Sequence, residues 1–99
     1  MKSYLLSITK LAQKDLQDAK SFYDEQAENL GDYFIDSLFV DLDSLQFYAG
    51  IHEQHLGYYK MLAKRFPYTI YYDIENEFVI VHAILDSRKN PLNIETRLD

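Results

Sequence analysis

The run Tyr68-Thr69-Ile70-Tyr71-Tyr72-Asp73-Ile74-Glu75-Asn76-Glu77-Phe78-Val79-Ile80-Val81-His82-Ala83-Ile84-Leu85 decides the fold. Aromatic and β-branched residues fill both halves and Glu75-Asn76-Glu77 parts them, so the run reads as a hairpin of strands 68–74 and 78–85. In the second strand Val79, Val81, Ala83 and Leu85 alternate with Phe78, Ile80 and Ile84. Both faces are apolar, which predicts a place in the middle of a sheet. In the first strand Tyr68, Ile70 and Tyr72 share one face and Tyr71 points to the other.

Upstream, Pro67 demands a bend, which separates the hairpin from a further strand over 58–64. Residues 49–57 hold two glycines and two histidines without apolar periodicity and read as a loop. Before them lie two helices. Thr9 is suited to cap the first, whose stripe is Ala12, Leu16, Ala19, Tyr23, Ala27 and Leu30. Gly31 is expected to interrupt the helical run and Asp32 to cap the second helix. That helix reaches about Tyr48, with Phe34, Leu38, Leu42 and Leu45 inward and Asp36, Asp41 and Asp43 outward. A short strand over 4–8 opens the chain, and Pro91 marks a turn before a short end segment. The expected fold is α+β in the order β-α-α-β-β-β, a helical hairpin on one face of a mostly antiparallel four-stranded sheet. Residues 1–99 form one domain without repeats or linkers.

Composition narrows the function classes. The chain is 47% hydrophobic and 15% aromatic, which supports a core and excludes a disordered chain. It has no cysteine, so no disulfide framework or thiolate metal site is available and a reducing cytoplasm is the natural setting. The opening run Tyr4-Leu5-Leu6-Ser7-Ile8 is too short for a signal-peptide core, so a cytoplasmic location is expected. A net charge of −6 counts against a protein that holds nucleic acid mainly through its phosphates. The charge is uneven, however: acids dominate the first half, whereas Lys60, Lys64 and Arg65 stand in a stretch from Leu56 to Tyr72 with no acid.

Several motifs, in order along nearly the whole chain, resemble one family. The helix start Ala12-x-x-Asp15-Leu16 and the hairpin residues Phe22-Tyr23 and Leu30-Gly31-x-x-Phe34 resemble RelE/ParE toxins, the poison halves of bacterial type II toxin–antitoxin pairs. Arg65-Phe66-Pro67-Tyr68-x-Ile70-x-Tyr72 looks like a strand motif of the plasmid-stabilisation subgroup. Ala83-Ile84-Leu85-Asp86-Ser87-Arg88-Lys89-Asn90-Pro91, with Arg97 beyond, is similar to its tail. One departure bears on chemistry. Where many relatives carry a histidine just after the last strand, this chain has Asp86, an anion in place of a neutral-pH proton carrier.

The resemblance implies two alternatives. A ParE-like toxin would bind and poison a large target such as DNA gyrase without chemistry of its own. A RelE-like toxin would cut messenger RNA on the ribosome, and its phosphate charge would fall to cations. Lys60, Lys64, Arg65 and Arg88 are the candidates for that role, with Lys60 and Lys64 four apart and expected on one sheet face. Edge-strand lysines are equally accounted for as protection against aggregation. Arg88 beside Asp86 reads either as a surface ion pair or as a phosphate or partner contact. The tyrosines at 58, 59, 68, 71 and 72 are expected mainly to pack, and His82 to be a hydrogen-bonded core residue. His52-Glu53-Gln54-His55 lacks the metalloprotease spacing and a third ligand, so neither a metal nor another cofactor is expected. A degenerate, non-toxic relative is the third reading. Either toxin requires a cognate antitoxin, expected to lay a Lys- and Arg-bearing segment in an apolar groove.

Overall fold

The computed structural model describes residues 3–89 and 91–98. Met1, Lys2, Asn90 of the tail motif and Asp99 lie outside them. The elements in order are β1 (Leu5–Ile8), α1 (Lys10–Gln26), α2 (Leu30–Tyr48), β2 (Glu53–His55), β3 (Tyr58–Leu62), β4 (Tyr68–Glu75), β5 (Phe78–Asp86) and α3 (Pro91–Leu98). They form one five-stranded sheet in the order β1-β5-β4-β3-β2. β1 pairs with β5 in parallel, and the other neighbours are antiparallel. The helical hairpin covers one face, as the α+β reading expects.

The added strand is β2, inside the stretch read as a loop. Its residues, Glu53, Gln54 and His55, are polar and exposed, so no apolar periodicity marks them. The pairing is set by the turn instead. His55 faces Tyr58, leaving Leu56 and Gly57 as a two-residue loop, and both adopt positive φ, at 54° and 85°. Two consecutive left-handed residues twist the chain in the sense a tight hairpin needs.

The core is built from the expected residues. Thr9 caps α1, its Oγ1 accepting from the Ala12 N–H at 3.2 Å. Ala12, Leu16, Ala19 and Tyr23 are buried against Phe34, Leu38, Leu42 and Leu45 of α2 and against Ile70, Tyr72, Val79 and Val81 of the sheet. Tyr68 joins this layer, ringed by Tyr23 and Phe34 at centroid distances of 6.3 and 5.0 Å.

The inter-helix turn differs from expectation. α1 ends at Gln26, Asn29 takes the left-handed conformation (φ 64°), and Gly31 lies buried inside α2. Gly31 therefore supplies absence of bulk: a Cβ there would stand 2.6 Å from the Lys20 carbonyl oxygen and would overlap the Asp24 carboxylate. Asp24, not Asp32, caps the second helix, its Oδ1 accepting from the Gly31 N–H at 2.9 Å. Asp41 is also not outward. It is buried, and its carboxylate accepts from the Lys64 N–H at 3.2 Å, tying α2 to the β3–β4 connection.

β5 holds a second departure. Tyr71 pairs with Ala83 and Tyr72 with Val81, so His82 is an extra residue and the strand bulges. Beyond the bulge the faces exchange. Ile84 joins Val79 and Val81 beneath the helices, while Ala83 and Leu85 turn to the opposite face with Tyr71, Leu98, Tyr58 and Ile94. Strict alternation had placed Ala83 and Leu85 with Val79. His82 itself is half-buried, bonded to Asp73 Oδ1 at 3.1 Å and 5.1 Å from the Tyr58 ring, so it borders the open face and is not within the main core.

Candidate functional site

β1 is only four residues long and pairs with β5 no further than Val81. The remainder of that β5 edge has no strand beside it, and polar side chains take the place of one. Asp15 of α1 reaches across, its Oδ2 accepting from the Ile84 N–H at 3.0 Å. Arg97 of α3 donates to the His82 carbonyl at 3.1 Å and binds Asp15 Oδ1 at 2.6 Å. Both side chains are mostly buried, 14% exposed for Asp15 and 21% for Arg97. This three-way bond satisfies two edge groups of the strand and clamps α3 in place.

Beside the clamp opens a cleft of about 270 Å³ between α1, β5 and α3. Ala19, Phe22, Tyr68, Ile84 and Ile94 give it an apolar lining, and Asp15, Asp18, Asp86 and Lys89 supply its charged groups. At its end Asp86 grips Arg88. The guanidinium donates to both carboxylate oxygens, at 3.0 and 2.8 Å, and the Arg88 N–H donates to Oδ1 at 2.9 Å. Those bonds hold the Asp86 carboxyl below the usual carboxylate range and raise Arg88 above its own ordinary value. Burial pushes the neighbouring Tyr68 hydroxyl up to about 12.

The candidate cations divide between two places. Lys60 lies on β3 opposite Tyr71; Tyr59 and Met61 face the helices, so Lys60 is on the open face, 4.0 Å from Glu53. β3 ends at Leu62, so Lys64 is not on the strand and does not share a strand face with Lys60. Lys64 and Arg65 occupy the β3–β4 connection. Arg88 follows β5, and the two connections are joined by the Ser87 N–H donating to the Pro67 carbonyl at 2.8 Å. Lys64, Arg65 and Arg88 thus gather at one end of the sheet. Lys60 stands apart, three residues or about 10 Å along the ladder from Tyr68.

The histidines of the β2 region diverge. His52 Nδ1 lies 2.6 Å from the Tyr72 hydroxyl, which also accepts from the Gly50 N–H at 2.9 Å. The His55 ring lies tilted near Tyr71 on the other sheet face, at 6.5 Å between centroids. Tyr72 is fully buried, so its hydroxyl proton is directed at an unprotonated Nδ1. Burial lowers the His52 pKa from its ordinary 6.5. A base with a lowered folded value binds fewer protons than in the unfolded chain, so its contribution is complete above about pH 6.5 and is lost as pH falls through the folded value. Urea midpoints should therefore drop between about pH 7.5 and 5.5, and His52→Gln should flatten that drop. An unchanged slope in the variant would remove His52 from the account.

The sequence of residues 6–91 matches the family model described as the ParE toxin of the type II toxin–antitoxin system parDE. The chain belongs to the ParE toxin family. No curated protein matches it. Among solved structures, the chromosomal ParDE toxin–antitoxin system from P. aeruginosa superposes with a TM-score of 0.76 at 16% identity, over 85% of this chain and 96% of that one. At that identity the likeness speaks for the fold. This ParE-type toxin has, among its described residues, no helix long and apolar enough to cross a membrane. Asp15 and Arg97 stood in the sequence only as parts of motifs. Their bond joins residues 82 positions apart, and only the shared motif pattern linked them.

Proposed function

We propose that this ParE-type toxin arrests growth by gripping a large cytoplasmic target such as DNA gyrase, not by cutting messenger RNA. The observation that carries this reading is the Asp86–Arg88 pair. At the position where a histidine would move protons stands a carboxylate, and it already binds the Nε and Nη2 edge of Arg88. A ribonuclease needs a base for the 2′-hydroxyl and uncommitted cations for the phosphate. The alternative would draw those cations from Lys60, Lys64, Arg65 and Arg88. The antitoxin segment would lie in the cleft between α1, β5 and α3, where apolar residues fit its hydrophobic anchors, and the net charge of −6 favours a segment bearing Lys and Arg. Its association should slow as salt rises; indifference to salt would remove the charge contribution.

The deciding experiment is inducible expression in a bacterium with pulse labelling of DNA and protein synthesis. A prompt fall in DNA synthesis is expected. Lys60→Ala with Lys64→Ala should leave inhibition within about twofold, whereas Arg88→Ala should relieve it about tenfold or more, through lost target contact. Circular dichroism of each variant separates lost contact from lost fold. Broken messenger RNA, abolished by the double lysine variant, would establish the ribonuclease instead; unchanged growth would mark a silent relative.

A further inference from the structure

Neither the core nor the cleft uses the outward side of α2. Tyr33, Val40 and Phe47 recur every seven residues and are 52%, 58% and 53% exposed. Seven residues are nearly two helical turns, so the three form one stripe about 21 Å long. Beside it runs a second row with the same spacing, Asp36 and Asp43, both exposed and without an ion-pair partner among the described residues. Asp32 extends the row at the helix start, 3.5 Å from Lys20. The stripe is anchored at one end, where the Tyr33 ring meets Phe66 edge-on at 5.6 Å. The opposite side of the helix is fully spent on the core through Phe34, Leu38, Leu42 and Leu45.

Aromatic and aliphatic side chains held in a line at this exposure are a binding surface in search of apolar partners. The acidic row decides which kind. A second copy laid antiparallel across Val40 would set Asp36 against Asp43, and a parallel copy would bring a second chain of net charge −6 to close range. Like charge brought together in this way disfavours both. Anionic lipid and nucleic acid meet the same repulsion. We propose that the outward face of α2 docks an amphipathic helix of another protein, one with apolar residues at seven-residue spacing beside a row of Lys or Arg. Such a helix lies along the stripe with its apolar residues between Tyr33, Val40 and Phe47 and its cations opposite Asp36 and Asp43. This holds whether or not growth arrest proceeds through gyrase.

Two synthetic helical peptides of about 21 residues test it, both with Leu at seven-residue spacing, one flanked by Lys and the other by Glu. Added to the isotope-labelled full chain, the Lys peptide should shift the amide resonances between Tyr33 and Phe47. Its affinity should fall about tenfold or more from low to high salt. Asp36→Lys with Asp43→Lys should transfer binding to the Glu peptide, and Val40→Lys should abolish binding of the Lys peptide while leaving circular dichroism unchanged. Equal binding of both peptides, or shifts absent or confined to the cleft, overturns the proposal. So does self-association in sedimentation, or capture by phosphatidylglycerol vesicles, that Val40→Lys removes, since the occupant is then a second copy or a membrane.

Discussion

Asp15→Ala is expected to destabilise the protein by about 3 kcal/mol, the low end of what breaking a buried ion pair costs. The loss is large because two groups depend on one carboxylate. Removing it leaves the Ile84 N–H without its acceptor and Arg97, 21% exposed, without its counter-charge. For a domain whose whole stability is about 5–15 kcal/mol, that is a substantial share. Arg97→Ala should cost less, since Asp15 keeps the Ile84 bond and its remaining oxygen can take water. Asp15→Asn should fall between the two, because an amide oxygen still accepts from Ile84 but carries no charge for Arg97. Urea unfolding followed by circular dichroism measures all three. A double variant whose cost falls short of the sum by about 1 kcal/mol or more would show the pair acting as a unit. If Asp15→Ala costs no more than an ordinary surface change, about 0.5 kcal/mol, the clamp on β5 does not hold the fold.

The clamp also links stability to function. Ile94 of α3 and Asp15 of α1 both border the cleft proposed for the antitoxin, and Leu98 at the end of α3 packs with Tyr71 and Ala83. Loosening α3 should therefore disturb the cleft wall as well as the sheet. The Asp86–Arg88 pair at its end is independent of the clamp, with partners only two residues apart in sequence. Antitoxin affinity should then respond to Asp15→Ala, while Asp86 retains its hold on Arg88.

How far the sequence revealed this arrangement depended on the range of each interaction. The interior position of β5 up to Val81, the Thr9 cap and the Phe34, Leu38, Leu42 and Leu45 stripe are local or periodic features, and periodicity exposes them. β2 escaped because Glu53, Gln54 and His55 lie on an exposed edge where nothing requires apolar residues; the two-residue spacing ahead of Tyr58, with Gly57, was its one trace. The His82 bulge escaped because one inserted residue changes no composition, yet it reverses the face of everything after it. Asp41 was read outward because Asp usually is, and its reason for burial, the Lys64 N–H, lies 23 residues away. In the candidate site the residue types were legible but not their grouping. Lys60 and Lys64 looked paired under strand geometry, and the early end of β3 at Leu62 separates them.

Gly31 carries the second large prediction, because its substitution tests whether the glycine is there for freedom or for space. A Gly→Ala change inside an exposed helix ordinarily stabilises by up to about 1 kcal/mol. Here it should destabilise by about 1–3 kcal/mol, the usual penalty for forcing bulk into a packed contact. The added methyl would meet the Asp24 carboxylate and the Lys20 carbonyl of α1, and it would push the Asp24 oxygen off the Gly31 N–H that it caps. Asp24→Ala alone should destabilise through the lost cap. In that background Gly31→Ala should cost less than in the native chain, since part of the obstruction has gone. It should remain destabilising, because the Lys20 oxygen is backbone and still lies 2.6 Å from the new methyl. A stabilising Gly31→Ala would mean that the two helices separate without penalty, and the tight hairpin would then owe nothing to this glycine.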